Sequence, residues 1–113
     1  MMKQSAIYAR QSVDKKESLS IEGQIELCQQ KAPNALIYKD KGYSGKNTER
    51  PALQKLIEDI KAEKIDKVVV YKIDRISRNI VDFYALWEIM KAHNCEIVSH
   101  SEPIDTTNIY GKG

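Results

Sequence analysis

Five residues of this 113-residue chain could together act on a phosphate: Ser12 and the arginines Arg10, Arg50, Arg75 and Arg78. A serine hydroxyl attacks only if a base takes its proton or nearby positive charge makes the alkoxide less costly to form. The histidines do not supply the base. His93 falls at the end of a helical stripe and His100 just after a strand-like run, and no motif brings either to Ser12 as a Ser-His-Asp relay requires. Arginines offer the other route, because a guanidinium grips a phosphate bidentately and stabilises charge developing on its oxygens. Arg10 precedes Ser12 by two residues, so in extended backbone both side chains leave the same face. Arg75 and Arg78 are three apart, one face of a helical turn, and Asp74 beside them could orient guanidinium groups or exchange a proton. Taken singly, each arginine reads as a solvated surface residue and Asp74 as half of a surface ion pair. The grouping points to a phosphate.

Elements must bring these residues together. Ala6 to Ala9 is a short apolar strand feeding a polar loop, Arg10 to Glu17. Ile21, Ile25, Cys28 and Ala32 recur at helical spacing, with Ser20 as N-cap and Pro33 beyond. Leu36 to Tyr38 is a second strand, followed by Lys39 to Arg50, which has little to bury and reads as a mobile loop. Pro51 opens a helix whose buried face is Leu53, Leu56, Ile57 and Ile60. Val68 to Tyr71 is a β-branched run suited to a central parallel strand. Asn79 and Asp82 resemble a cap and its partner before the stripe Phe83, Leu86, Trp87 and Met90, and Glu96 to Ser99 is a fourth strand. Pro103 to Gly113 reads as an unstructured tail. Strand and helix alternate throughout, which predicts an α/β fold in three layers, α/β/α, around a mostly parallel sheet. Ligands of such sheets gather at the carboxyl ends of the strands. Those ends carry Arg10 and Ser12, Asp40 to Arg50, and Asp74 to Arg78.

Composition removes several other classes. Eighteen Lys plus Arg against 16 Asp plus Glu, with 42% apolar and 30% charged residues, describe one ordinary soluble domain. No apolar run approaches the roughly 18 residues a membrane span requires, and no signal peptide is evident. Cys28 and Cys95 lie in no metal-ligand or Cys-x-x-Cys spacing, so both read as core thiols in a reducing cytoplasm. No carboxylate cluster has metal-ligand spacing. Gly42 to Asn47 is too short for a phosphate loop and lacks its hydroxyl residue, and there is no Gly-x-Gly-x-x-Gly, so no nucleotide site is expected. The charge is uneven: residues 64 to 78 sum to +3 and residues 79 to 113 to −3. A basic window of this kind can meet a polyanion, although most are simply solvated.

At these residues the sequence resembles a known family. Tyr8-Ala9-Arg10-Gln11-Ser12, Ser18-Leu19-Ser20-Ile21-Glu22-Gly23-Gln24, Arg50-Pro51 and Tyr71-Lys72-Ile73-Asp74-Arg75-Ile76-Ser77-Arg78-Asn79 resemble the catalytic domain of the serine recombinases, which comprise resolvases, invertases and the large integrases and transposases. The likeness covers nearly the whole chain, and Asp105-Thr106-Thr107 with the Ser-Ile-Glu segment looks more like the large members. The resemblance implies a resolvase-like fold and site-specific DNA recombination. Ser12 would attack a DNA phosphate, forming a 5′-phosphoserine and releasing a 3′-hydroxyl. Arg10, Arg75 and Arg78 match the arginines that hold the phosphate, and Arg50 a further one from the second loop. Gln24, Asp40 and Asp74 match supporting polar positions, Asp74 being a candidate for protonating the leaving oxygen. Neither metal nor cofactor is implied, since the phosphoserine conserves the bond energy. The implied partners are DNA and other copies of the protein, as dimer and synaptic tetramer, in a bacterial or phage-encoded cytoplasmic protein.

The family's long subunit-joining helix and DNA-binding region normally follow the point where this sequence stops, so residues 1–113 read as a catalytic domain truncated before them. Two other readings share the fold class. A non-catalytic module could contact DNA through its basic edge without forming an adduct. A phosphoacceptor domain could use Asp40 and Lys72, but it would leave the arginines idle.

Overall fold

Residues 4–11 alternate about a strand that is buried on both sides. Ala6 and Tyr8 enter one core and Ile7 the other, and all three are fully buried. This double burial is the signature of a central strand in a parallel sheet. The computed structural model describes residues 3–11, 20–41, 51–72, 76 and 80–101, and its elements are β1 (Gln4–Gln11), α1 (Ile21–Gln29), β2 (Leu36–Lys41), α2 (Pro51–Lys61), β3 (Ile65–Val70), α3 (Ile80–Ala92) and β4 (Glu96–Ser99). The expected tail, the Asn79 cap and the residues Ser12, Arg50, Asp74, Arg75 and Arg78 lie outside the described residues.

The four strands form one sheet in the order β2-β1-β3-β4, with every pair parallel. Ile7 and Val69 face Cys28 of α1 and Ala32 beyond it. Tyr8, Val68, Val70 and Ile97 face Leu53, Leu56 and Ile60 of α2, and Leu86 and Met90 of α3. The α/β/α layering is therefore as expected from the alternation of elements. No described helix is long and apolar enough to cross a membrane.

The helix ends have local causes. Ser20 caps α1, its hydroxyl accepting the Gly23 N–H at 3.1 Å. α2 and α3 both end in a left-handed residue, Glu63 (φ 64°) and Asn94 (φ 57°). In each case a hydrogen bond then returns across the turn, Lys64 N–H to the Asp59 carbonyl at 3.0 Å and Cys95 N–H to the Met90 carbonyl at 2.8 Å. Asparagine tolerates that conformation, whereas glutamate is strained in it by about 1 kcal/mol. Glu63 accepts an ion pair from Lys3 at 2.9 Å and a hydrogen bond from His93, and together these hold its carboxyl below the usual range. This cluster ties β1, α2 and α3 together at the amino end of the sheet.

Three boundaries differ from expectation. β1 runs from Gln4 to Gln11, so Arg10 and Gln11 belong to the strand and not to the loop after it, because both pair with β2. β2 runs on to Lys41, so Lys39 to Lys41 belongs to a strand and not to a loop. Lys39 is exposed, and Asp40 points into the core on the same side as Tyr38. β3 begins at Ile65, three residues before the apolar run, and ends at Val70, leaving Tyr71 just outside.

Candidate active site

Arg10 is fully buried, as a solvated surface charge would not be. It sits one residue from the carboxyl end of β1, where its Cα is paired with that of Asp40 in β2. α1 fixes its backbone from the other side. The Gln24 side chain accepts the Arg10 N–H at 3.3 Å and donates to the Arg10 carbonyl at 3.0 Å. The amide thus acts as a short piece of extra strand, and at 1% exposure Gln24 is itself part of the interior. Two residues before Ser12, the backbone is consequently held by hydrogen bonds from a helix as well as by the sheet.

Asp40 performs a different task. Its Oδ2 accepts the Tyr8 hydroxyl at 2.8 Å and the Leu53 N–H at 3.1 Å, and its Oδ1 accepts the Ala52 N–H at 2.9 Å. A helix beginning at Pro51 has unpaired N–H groups in its first turn and the positive end of its dipole there, and a carboxylate from the neighbouring strand answers both. Asp40 therefore sets where α2 starts, immediately after Arg50 in the sequence. At 3% exposure and with both oxygens accepting hydrogen bonds, Asp40 is built into the interior, which argues against its serving as a phosphoacceptor. Tyr8, the partner of that carboxylate, is a residue the motif reading passed over. Its parity in β1 matches Arg10, and the pairing Tyr8↔Tyr38 leaves Asp40 as its diagonal neighbour.

The remaining assigned residues lie outside the described residues, and only the strands that precede them in the sequence are located. Gln11 ends β1 opposite Lys41, which ends β2, and Tyr8 pairs with Val70, which ends β3. Three neighbouring strands thus finish along one edge. The chain bearing Ser12 departs from the first, the chain bearing Arg50 from the second and the chain bearing Asp74, Arg75 and Arg78 from the third. β1 lies between β2 and β3, so the path reverses direction in the sheet at this point, and such a reversal is where ligands of parallel sheets gather. Ile76 is fully buried in the core beneath α2 and α3, anchoring the third segment between Arg75 and Arg78.

His93 serves the Glu63 cluster at the amino end of the sheet. Both cysteines are free and buried. Burial pushes the Cys28 thiol up to about 11, and burial followed by the Asp66 carboxylate pushes Cys95 to about 12, so both are inert core groups.

The comparisons agree with this geometry. Residues 5–112 match the model of the resolvase N-terminal domain. A Bacillus subtilis (strain 168) protein named as a DNA recombinase is 36% identical over 97 residues, spanning 82% of this chain and 19% of the relative. The DNA-invertase of Enterobacteria phage P7 is 35% identical over 77 residues, 68% of this chain and 40% of the relative, so this chain spans less than half of either. Among solved structures, the N-terminal catalytic domain of TP901-1 integrase is 36% identical with a TM-score of 0.80, covering 97% of this chain and 86% of that one. A serine recombinase from Sulfolobus solfataricus is 27% identical with a TM-score of 0.77, covering 98% and 77%. A match over nearly the full length, on a parallel sheet shared with these structures, establishes that the chain belongs to the resolvase N-terminal domain family, the catalytic domain of serine recombinases.

Proposed function

We propose that this domain carries out the DNA cleavage and rejoining steps of site-specific recombination, with Ser12 as the nucleophile. The observation that carries the reading is the convergence of the three strand ends on one edge, beside a buried Arg10 whose backbone is fixed by Gln24. Ser12 Oγ attacks the scissile phosphorus and its proton leaves to solvent or a neighbouring group. The phosphorus–O3′ bond breaks as the Oγ–phosphorus bond forms, and the 3′-oxygen takes a proton for which Asp74 is the candidate donor. Arg10, Arg75 and Arg78, with Arg50 from the segment preceding α2, stabilise charge on the phosphate oxygens. The reverse attack by a 3′-hydroxyl restores the diester without an added energy source.

DNA is the partner this chemistry requires, and a second copy of the protein is the other. α3 supports self-association: it is apolar around most of its circumference, leaving Val81 70% and Tyr84 52% exposed. A dimer that pairs into a tetramer would bring four serines to four strands. The bacterial and phage relatives favour a cytoplasmic site of action.

Ser12→Ala in the full-length protein should bind DNA as the parent does and form no covalent adduct on a nicked suicide substrate in excess EDTA. An adduct that survives the substitution on denaturing gels sinks the assignment. A parent protein that binds DNA but never forms an adduct would instead make the domain a non-catalytic module.

A further inference from the structure

The two strands that flank β1 each lead to an exposed lysine near the carboxyl edge of the sheet, on the face covered by α1. Lys39 of β2 is paired with Ala9, two positions beyond the pair Ile7↔Ile37. Ile7 packs against Cys28 of α1, and side chains alternate along a strand, so Lys39 is on the α1 side, opposite to Tyr38 and Asp40. Lys72 follows β3 on the other flank. Val70 is paired with Tyr8, and Lys72 comes two residues after Val70 as Arg10 comes two after Tyr8. The Lys72 ammonium lies over the Tyr71 ring, 5.7 Å from its centroid, and Tyr71 packs against the α1-side cluster of Ile7 and Val69.

The end of β4 holds that ring in place. The Tyr71 ring is stacked on the His100 ring, with centroids 6.2 Å apart and planes inclined by 26°. Ser101 N–H and the Ser99 hydroxyl donate to the Tyr71 carbonyl at 2.9 and 3.3 Å, and His100 N–H donates to the Val70 carbonyl at 2.8 Å. The charge of Lys72 is therefore seated on a supported ring, which lowers the side-chain entropy still to be lost when it meets an anion. Lys3, Lys55 and Lys91 lie 2.9, 3.4 and 3.5 Å from a carboxylate. Among the described residues, neither Lys39 nor Lys72 has such a partner, and Glu22, in the first turn of α1, pairs with neither. Strands two spacings apart separate the two lysines by roughly 10 Å, too far for one small anion to meet both but suited to a chain of repeated charges.

We infer that Lys39 and Lys72 bind backbone phosphates of DNA to either side of the scissile one. The inference rests on the reading of DNA as the partner of this domain. Arg10 shares the parity of Tyr8 and belongs to the α2 side of the sheet, whereas both lysines belong to the α1 side. They hold the duplex before reaction and do not touch the reacting phosphate, so they add to affinity equally in the ground state and the transition state.

The test measures affinity of the full-length protein for a labelled DNA duplex across salt concentrations, with adduct formation on the nicked suicide substrate at saturating DNA. Each phosphate contact adds about 0.9 to the slope of log affinity against log salt. Lys39→Gln and Lys72→Gln should each lower the slope by about that amount, so that between about 50 and 200 mM salt each variant loses about threefold less affinity than the parent. The double variant should lower the slope by about twice as much, and its cleavage at saturating DNA should stay within about twofold of the parent. Lys72→Arg keeps a cation over the ring and should show the parental slope. An unchanged slope in the double variant overturns the inference. So does a Lys72→Arg slope as low as that of Lys72→Gln, because charge would not then be what the site uses. Cleavage more than about tenfold slower in Lys72→Gln at saturating DNA also overturns it, by placing the lysine on the scissile phosphate. Ser12→Ala separates the two levels. If adduct survives that change, the nucleophile assignment fails whatever the lysines do. If Ser12→Ala abolishes adduct while the double lysine variant keeps the parental slope, only the role of Lys39 and Lys72 fails.

Discussion

At the scale of single residues, the proposed chemistry divides the polar groups between those that would meet the phosphate and those that hold other groups still. Gln24 and Asp40 are both buried, and every contact described for them goes to backbone or to a tyrosine hydroxyl, not toward solvent. They are positioning residues, Gln24 for Arg10 and Asp40 for the start of α2. The proposed function puts Arg75 and Arg78 in the other group, and replacement by lysine tests it. Lysine keeps the charge and loses the planar fork that clamps two phosphate oxygens at once. Arg75→Lys and Arg78→Lys should each bind DNA nearly as the parent does and cleave it about a hundredfold more slowly, the size of one lost transition-state donor. Equal losses in binding and cleavage would place these side chains in ground-state recognition instead.

At the scale of elements, the helix most dependent on a distant residue is α2. It begins with proline, which fixes φ but offers no hydroxyl or carboxylate to its own first turn, and Asp40 supplies that cap from across the β2–α2 connection. Asp40→Ala would leave two helical N–H groups and the Tyr8 hydroxyl without their acceptor in the interior. Urea unfolding should register a loss of about 3 kcal/mol or more, well beyond an exposed cap. A loss below about 1 kcal/mol would mean that water replaces the carboxylate at no great cost. This cap also shows what the sequence could and could not reveal. The stripe of α2, the Ser20 cap and the strand β4 were legible because their signals are local: apolar spacing, one hydroxyl before a helix, one β-branched run. The role of Asp40 was not legible, because the spacing between Asp40 and Ala52 has no helical or strand period. Read locally, Lys39-Asp40-Lys41 is a polar loop; only the pairing Arg10↔Asp40 makes it a strand end. The motif resemblance had already marked Asp40 as important, without saying what it does. The Tyr71–His100 stack was invisible for the same reason, since it joins residues 29 apart in sequence through neighbouring strands.

At the scale of the whole molecule, two cores of unequal size share one sheet, and each buries a cysteine. Cys28 lies with Ile7 and Val69 under α1, and Cys95 lies with Met90 and Ile97 on the other side. If the sheet couples the two cores into one cooperative unit, neither thiol can reach a reagent without global unfolding, and both should label at the same rate in mild denaturant. The thiols also contribute to the alkaline behaviour, as does Tyr38, which burial and then the Asp59 carboxylate hold above its ordinary value. The unfolded thiols ionise near their ordinary value of 9.0, whereas the folded ones are held up to about 11 and about 12 by burial. Between those values the unfolded state has released protons that the folded state still binds, so stability falls as pH rises. The contribution is fully present below pH 9 and is lost progressively up to the folded values. Urea unfolding of the parent should therefore lose stability from pH 9 toward pH 11, and Cys28→Ala/Cys95→Ala should start lower at neutral pH but decline less steeply over the same range. Identical slopes for the two proteins would mean that lysine and tyrosine ionisation, and not the buried thiols, sets the alkaline limit of the fold.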